Sequence, residues 1–174
     1  MRRYITLTIL MFTLPAVLAV LPAQATDSCQ PVFEALTKVA TTPSHSYTTS
    51  TPASGGTSIE TETIFANGQK YIRVHGKWMR LPVTSQDVVE QEKEKEQHGK
   101  STCQVLRSEP VNGEAAIVYS VHREYGEVKE DGQMWISKST GLPLRAEEDF
   151  DNKGNNVKEH RSARFEYSNV RPPL

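Results

Sequence analysis

Apolar residues along this chain recur with two periods, and the change from one to the other marks out its elements. Val32, Leu36, Val39 and Ala40 are spaced as on one face of a helix. Pro31 suits a first helical turn, where its missing N–H is not needed, and Thr26-Asp27-Ser28 supplies capping oxygens. A short amphipathic helix over 30–40 is expected. From Ser44 onward the stretches 44–52, 57–66, 69–75 and 77–82 are rich in Thr, Ile, Tyr, Val and Trp. Ser54-Gly55-Gly56, Asn67-Gly68 and Gly76 separate them, and Asn-Gly between extended runs is a strong hairpin signal. These are strands of a meander.

Residues 84–99 interrupt it. Thr84 with Asp87 resembles a capping box, Gly99 is a good terminator, and only Val88 and Val89 are apolar among the Glu and Lys between. This predicts a helix with almost no buried face, laced by pairs such as Glu90–Lys93 and Glu92–Lys95. A solvated surface helix is the simpler reading, and a mobile lid over an opening is the other. Strands resume at 101–111, turn at Asn112-Gly113 and continue through 114–126, 131–137, 142–150 and 157–170. Ile117, Tyr119, Val121 and Tyr125 share one face, as do Ala163, Phe165 and Tyr167. Nine or ten strands and two helices are expected. Their uneven faces suit one twisted sheet curving around the first helix, which fills its concave side, with the other face wet.

The ends bear on compartment. Arg2 and Arg3 precede an apolar run over residues 5–21, and Ala23-Gln24-Ala25 follows it, so a secretory leader cleaved after Ala25 is expected. A retained anchor is the alternative, but the run is short for a span. Residues 26–174 suit a single domain, with no further membrane span. The leader holds two of the 20 basic and none of the 21 acidic residues, so the remainder is mildly acidic. Nucleic acid and anionic membranes are therefore poor candidate partners. Cys29 and Cys103 are the two cysteines, and in an exported protein a disulfide is expected.

The segment Trp135-Ile136-Ser137, Lys138-Ser139-Thr140-Gly141, Leu142-Pro143-Leu144-Arg145 resembles a hairpin of periplasmic lipoprotein-carrier-like proteins, the outer-membrane lipoprotein-sorting group and its relatives. Ser137 stands where that pattern often has Asp. The resemblance implies a mainly β fold with few helices: a strongly curved antiparallel sheet, an incomplete barrel, covered by short helices around an apolar cavity. It also implies a structural hairpin, with Gly141 permitting the turn, Pro143 limiting pairing near an edge, and Trp135 and Leu144 packing. No catalytic residues transfer from it.

The five histidines have no metal spacing, the acids 147–149 alternate faces, and no nucleophile or phosphate-loop motif occurs. No cofactor is expected. The reading is a non-enzymatic periplasmic binder or carrier of a hydrophobic ligand, a lipid or a lipoprotein acyl chain, in a half-barrel cavity. Candidate lining residues are Phe65, Tyr71, Ile72, Trp78 and Met79 from the first meander. Ile117, Tyr119, Met134, Trp135, Leu144 and Phe165 come from the second. The alternative is an envelope protein-interaction or lipid-sensing module on the same fold. An enzyme would instead need a cleft where His and carboxylates converge.

Overall fold

The structure, a computed structural model, describes residues 29–174. The expected leader lies outside the described residues. The elements are α1 (Gln30–Thr41), β1 (Ser44–Pro52), β2 (Ile59–Ala66), β3 (Gln69–Val74), β4 (Lys77–Thr84) and α2 (Ser85–His98). They continue as β5 (Lys100–Val111), β6 (Glu114–Tyr125), β7 (Val128–Ser137), β8 (Pro143–Asn152) and β9 (Val157–Glu166). All nine strands form one antiparallel sheet in the order β4-β3-β2-β1-β9-β8-β7-β6-β5, not closed into a barrel. Two meanders are thus joined by the pairing of β1 with β9.

The hairpins form where the residues tolerate left-handed backbone. Asn67 and Gly68 have φ of 52° and 71°, and Asn112 and Gly113 have 50° and 87°, as a two-residue turn of type I′ requires. His75 and Gly76 do the same between β3 and β4. In the β7–β8 turn Ser137 braces the bend with its side chain. Its Oγ accepts from the amides of Ser139 at 3.2 Å and Thr140 at 3.0 Å.

Paired residues of neighbouring strands point the same way, so the register divides the sheet into two faces. Helix α1 packs on one of them. Val32 and Ala35, 2% and 0% exposed, meet Cys103, Tyr119, Met134 and Ile136. Cys29 is bonded to Cys103, which ties the start of α1 to the edge strand β5. On the opposite face Ala116, Val118, Trp135 and Leu144 form a second cluster, and Ile64, Ala66 and Tyr71 form a third. The C-terminal segment lies against these two through Tyr167 and Val170.

Three expectations are corrected. Pro143 opens β8, which lies inside the sheet between β9 and β7 rather than near an edge. A first strand residue can be proline because it stands at the end of the ladder. Tyr167 does not share a face with Ala163 and Phe165. The strand ends at Glu166, and the phenol turns to the other face, where it donates to the Pro143 carbonyl. Helix α2 does have a buried contact, and it is a charged one: Glu92 is 9% exposed.

Candidate functional site

Each face of the sheet has its own chemistry. On the helix face, α2 runs from the end of β4 to the start of β5, linking the two edge strands. The capping box expected at Thr84 and Asp87 starts it. Its seat on the sheet is ionic. Glu92 Oε2 lies 2.7 Å from an Arg123 guanidinium nitrogen, and Lys95 holds Glu92 Oε1 at 2.6 Å. Arg123 also faces Glu130 at 3.4 Å, and the Tyr125 hydroxyl donates to Glu130 at 2.5 Å. Burial works to raise the Glu92 pKa, but Arg123 and Lys95 outweigh it and hold the group below the usual carboxylate range. Between α1, α2 and β5–β6 lies a crevice of about 220 Å³, with Val32, Phe33 and Leu36 on one wall and Glu92 and Arg123 on another.

The face opposite the helices holds the larger space, an open cavity of about 910 Å³. His75 and Gly76 of the β3–β4 turn line it, and so do Val111 and Asn112 at the β5–β6 turn. Those turns belong to opposite margins of the nine-stranded sheet. One cavity touches both only because the sheet curls towards this face along that diagonal, as strong twist demands.

The wall of the cavity mixes polar and apolar surface. Tyr47, Glu62, Arg73, Arg145 and Arg164 line it from neighbouring strands, and Ile59, Val111 and Leu144 add apolar surface. Glu62 is held by Arg73 at 2.7 Å and by His45 at 3.0 Å. Burial opposes its ionisation, yet the hydrogen bonds from Arg73 and His45 prevail and its pKa is lowered. The Tyr47 hydroxyl stands 3.1 Å from His45 Nδ1 and 3.4 Å from Glu166. Burial, followed by the charge of Glu166, raises the pKa of this phenol. Tyr47 thus stays protonated and serves as a hydrogen-bond donor, not as an activated nucleophile.

The eleven residues singled out from the sequence divide between the two faces. Phe65, Ile72, Met79 and Phe165 lie on the helix face by register, beside Ile117, Tyr119 and Met134 around α1. Tyr71, Trp78, Trp135 and Leu144 lie on the other. Leu144 alone among the eleven lines the large cavity. The arginines and Tyr47 were missed. A signal for them exists: Arg107-x-Glu109, Arg145-x-Glu147 and Arg164-x-Glu166 repeat one same-face pair on three strands.

His122 meets Asp131 at 2.5 Å and His160 meets Asp149 at 2.9 Å, each across a strand pair. Among the described residues no group of three His, Cys, Asp or Glu side chains could hold a metal ion. No described helix is long and apolar enough to cross a membrane.

No family model matches the chain, and no curated protein matches it by sequence. It is similar to the crystal structure of LprF from Mycobacterium bovis, at 10% identity and a TM-score of 0.43, over 86% of this chain and 98% of that one. It is also similar to the MucA/MucB complex structure from Pseudomonas aeruginosa, at 12% identity and a TM-score of 0.44. That match covers 84% of this chain but spans only 59% of its counterpart.

Proposed function

We propose that the protein is an exported, non-enzymatic binder of a lipid or of a lipidated protein, acting in the periplasm. The acyl chain would lie on the helix face over β2–β4. One observation carries this reading. Helix α1 fills the β6–β8 half of that face, but the other half keeps apolar side chains in reach of solvent. Ile72 stands directly opposite Met79, which is 49% exposed, and Phe65 lies one strand over. A crevice walled by Phe33 and Leu36 adds apolar surface between α1 and α2 on the same side of the sheet. At about 220 Å³ that crevice is below the ~300–1,000 Å³ usual for a complete ligand pocket, so the exposed strip has to supply most of the contact. The leader pattern and the hairpin resemblance support the compartment and the ligand class.

Titration of the purified protein with fatty acids of increasing length tests it. Each buried methylene contributes about 0.8 kcal/mol, or roughly fourfold in affinity. Binding should tighten by that factor per carbon until the strip is covered, and Met79→Asp should abolish the dependence. Equal affinity across chain lengths would overturn the proposal.

A second reading, docking of an envelope protein partner, is favoured by β5. This strand is twelve residues long with one edge unpaired, and Val105 and Leu106 at its bulge are 50% and 45% exposed. An extended partner segment could pair along it. Fast hydrogen exchange along β5 that slows when such a partner is added is the expected sign.

A further inference from the structure

The large cavity lies on the face that the acyl-chain reading leaves unused. Following the register across it from β3 to β7 gives Arg73, Glu62, Tyr47, Arg164, Arg145 and Trp135, each directly opposite the next. Arg145 and Arg164 therefore face one another in neighbouring strands. Like charges at directly opposed positions oppose sheet pairing. The chain keeps both and holds them in place. Arg145 stacks on Trp135, 4.7 Å from the ring centroid, and Arg164 on Tyr47 at 3.5 Å. Each also bonds a carboxylate two residues along its own strand, Glu147 and Glu166. Stacking fixes the plane of a guanidinium and leaves donors on its rim available.

Position decides where those donors point. The arginines line the cavity, while Glu147 and Glu166 are not part of its wall. Arg145 and Arg164 are 46% and 55% exposed, so the cavity side of each remains accessible. Arg73 enters from β3 on the far side of Tyr47 and Glu62. The Tyr47 hydroxyl is already engaged by His45 and Glu166, so the further donors on the wall are the hydroxyls of Thr49 and Ser162. Two opposed guanidiniums offer more donors than the two oxygens of one carboxylate can accept. A phosphate group has three terminal oxygens and suits that number. Leu144 and Val111 at one end of the wall give room for an apolar substituent.

We propose that this cavity binds a phosphate-bearing small ligand, gripped by Arg145 and Arg164 with Arg73 across from them. The site is separate from the apolar strip on the helix face and stands whether or not that strip holds lipid.

The test is titration of the whole protein with inorganic phosphate and, in a second arm, with a soluble short-chain phosphatidic acid. Arginine Nε–H resonances report occupancy. Saturable shifts at Arg145 and Arg164 are expected in at least one arm. Shifts with inorganic phosphate identify a free oxyanion site, and shifts with phosphatidic acid alone identify a lipid headgroup site. Arg145→Lys and Arg164→Lys should each weaken binding at least tenfold, since lysine cannot reproduce the fork, while Arg161→Lys on the helix face should leave it unchanged. Absence of saturation in both arms overturns the proposal. So does binding unaffected by either lysine variant, or competition by acetate as effective as by phosphate. The resonance shifts of the unaltered protein decide the matter even if a variant fails to fold.

Discussion

Arg123 is the residue whose loss should most clearly reveal how α2 is held. In Arg123→Met the side chain keeps much of its length and loses its charge. Two carboxylates then lose their shared cation, Glu92 and Glu130, each with a side chain only 11% exposed. Breaking a buried ion pair by removing one partner costs about 3–5 kcal/mol, because a charge is left in a place water reaches poorly. Lys95 stays on Glu92 at 2.6 Å and Tyr125 stays on Glu130, so the lower end applies, about 3 kcal/mol. That is a large share of the ~5–15 kcal/mol by which a domain is normally stable. In urea the midpoint should fall with little change in slope. The amides of α2 should lose hydrogen-exchange protection before those of β6 and β7, since few apolar contacts back the ion pair.

The pH dependence provides the refutation. In the native protein the Glu92 pKa is lowered, so its contribution is complete above the unfolded value of ~4.3 and is lost as pH falls through the folded value. Without Arg123 the burial of Glu92 dominates and its folded pKa rises. The variant then gains stability relative to the native protein as the acid is protonated. The gap should be widest near about pH 7 and narrow towards about pH 4. Adding Glu92→Gln and Glu130→Gln should recover most of the loss at neutral pH. A midpoint within about 0.5 kcal/mol of native at pH 7, or a gap that does not change with pH, would refute the reasoning.

Two further outcomes follow from covalent and steric constraints. Reduction of the Cys29–Cys103 bond, which spans a sequence separation of 74, should cost about 4 kcal/mol in thermal unfolding, and labelling of the unreduced, denatured protein should find no free thiol. Gly132→Ala should destabilise by more than the ~1–3 kcal/mol of ordinary overpacking, because its Cβ would stand 2.0 Å from the Glu147 carbonyl oxygen and 2.7 Å from the Glu148 Cα, both backbone of β8. A urea midpoint shifted by less than about 1 kcal/mol would mean that β7 and β8 can part there without loss.

The elements could be read from the sequence because their ends are chemically marked. Asn67-Gly68 and Asn112-Gly113 each carry the left-handed backbone that a tight hairpin needs, and the Thr84–Asp87 box starts α2 where the polar run begins. The pairing of β1 with β9 carried no such mark. It joins residues more than a hundred positions apart through Thr, Ser and Arg side chains, and local pattern says nothing about so distant a partner. The seat of α2 was hidden for a different reason. Its buried residue is a glutamate, which hydropathy places outside, and only the geometry of Arg123 and Lys95 makes its burial tolerable.

The candidate cavity residues illustrate what alternation can decide and what it cannot. Tyr71 with Ile72, Trp78 with Met79, and Met134 with Trp135 are sequence neighbours within single strands, so members of each pair must point to opposite faces. They could never line one space, and the sequence already contained that fact. What it did not contain was which face the helices would cover, since either set is apolar enough to receive one. The choice follows from α1, whose Val32 and Ala35 fit the face of Tyr119, Met134 and Ile136 and whose Cys29 is bonded to Cys103 on the same face. Once that face is taken, the other is left to Trp135, Tyr47 and the arginines. Exposed guanidiniums stacked on rings become its dominant chemistry, and a search guided by apolar residues passes over it.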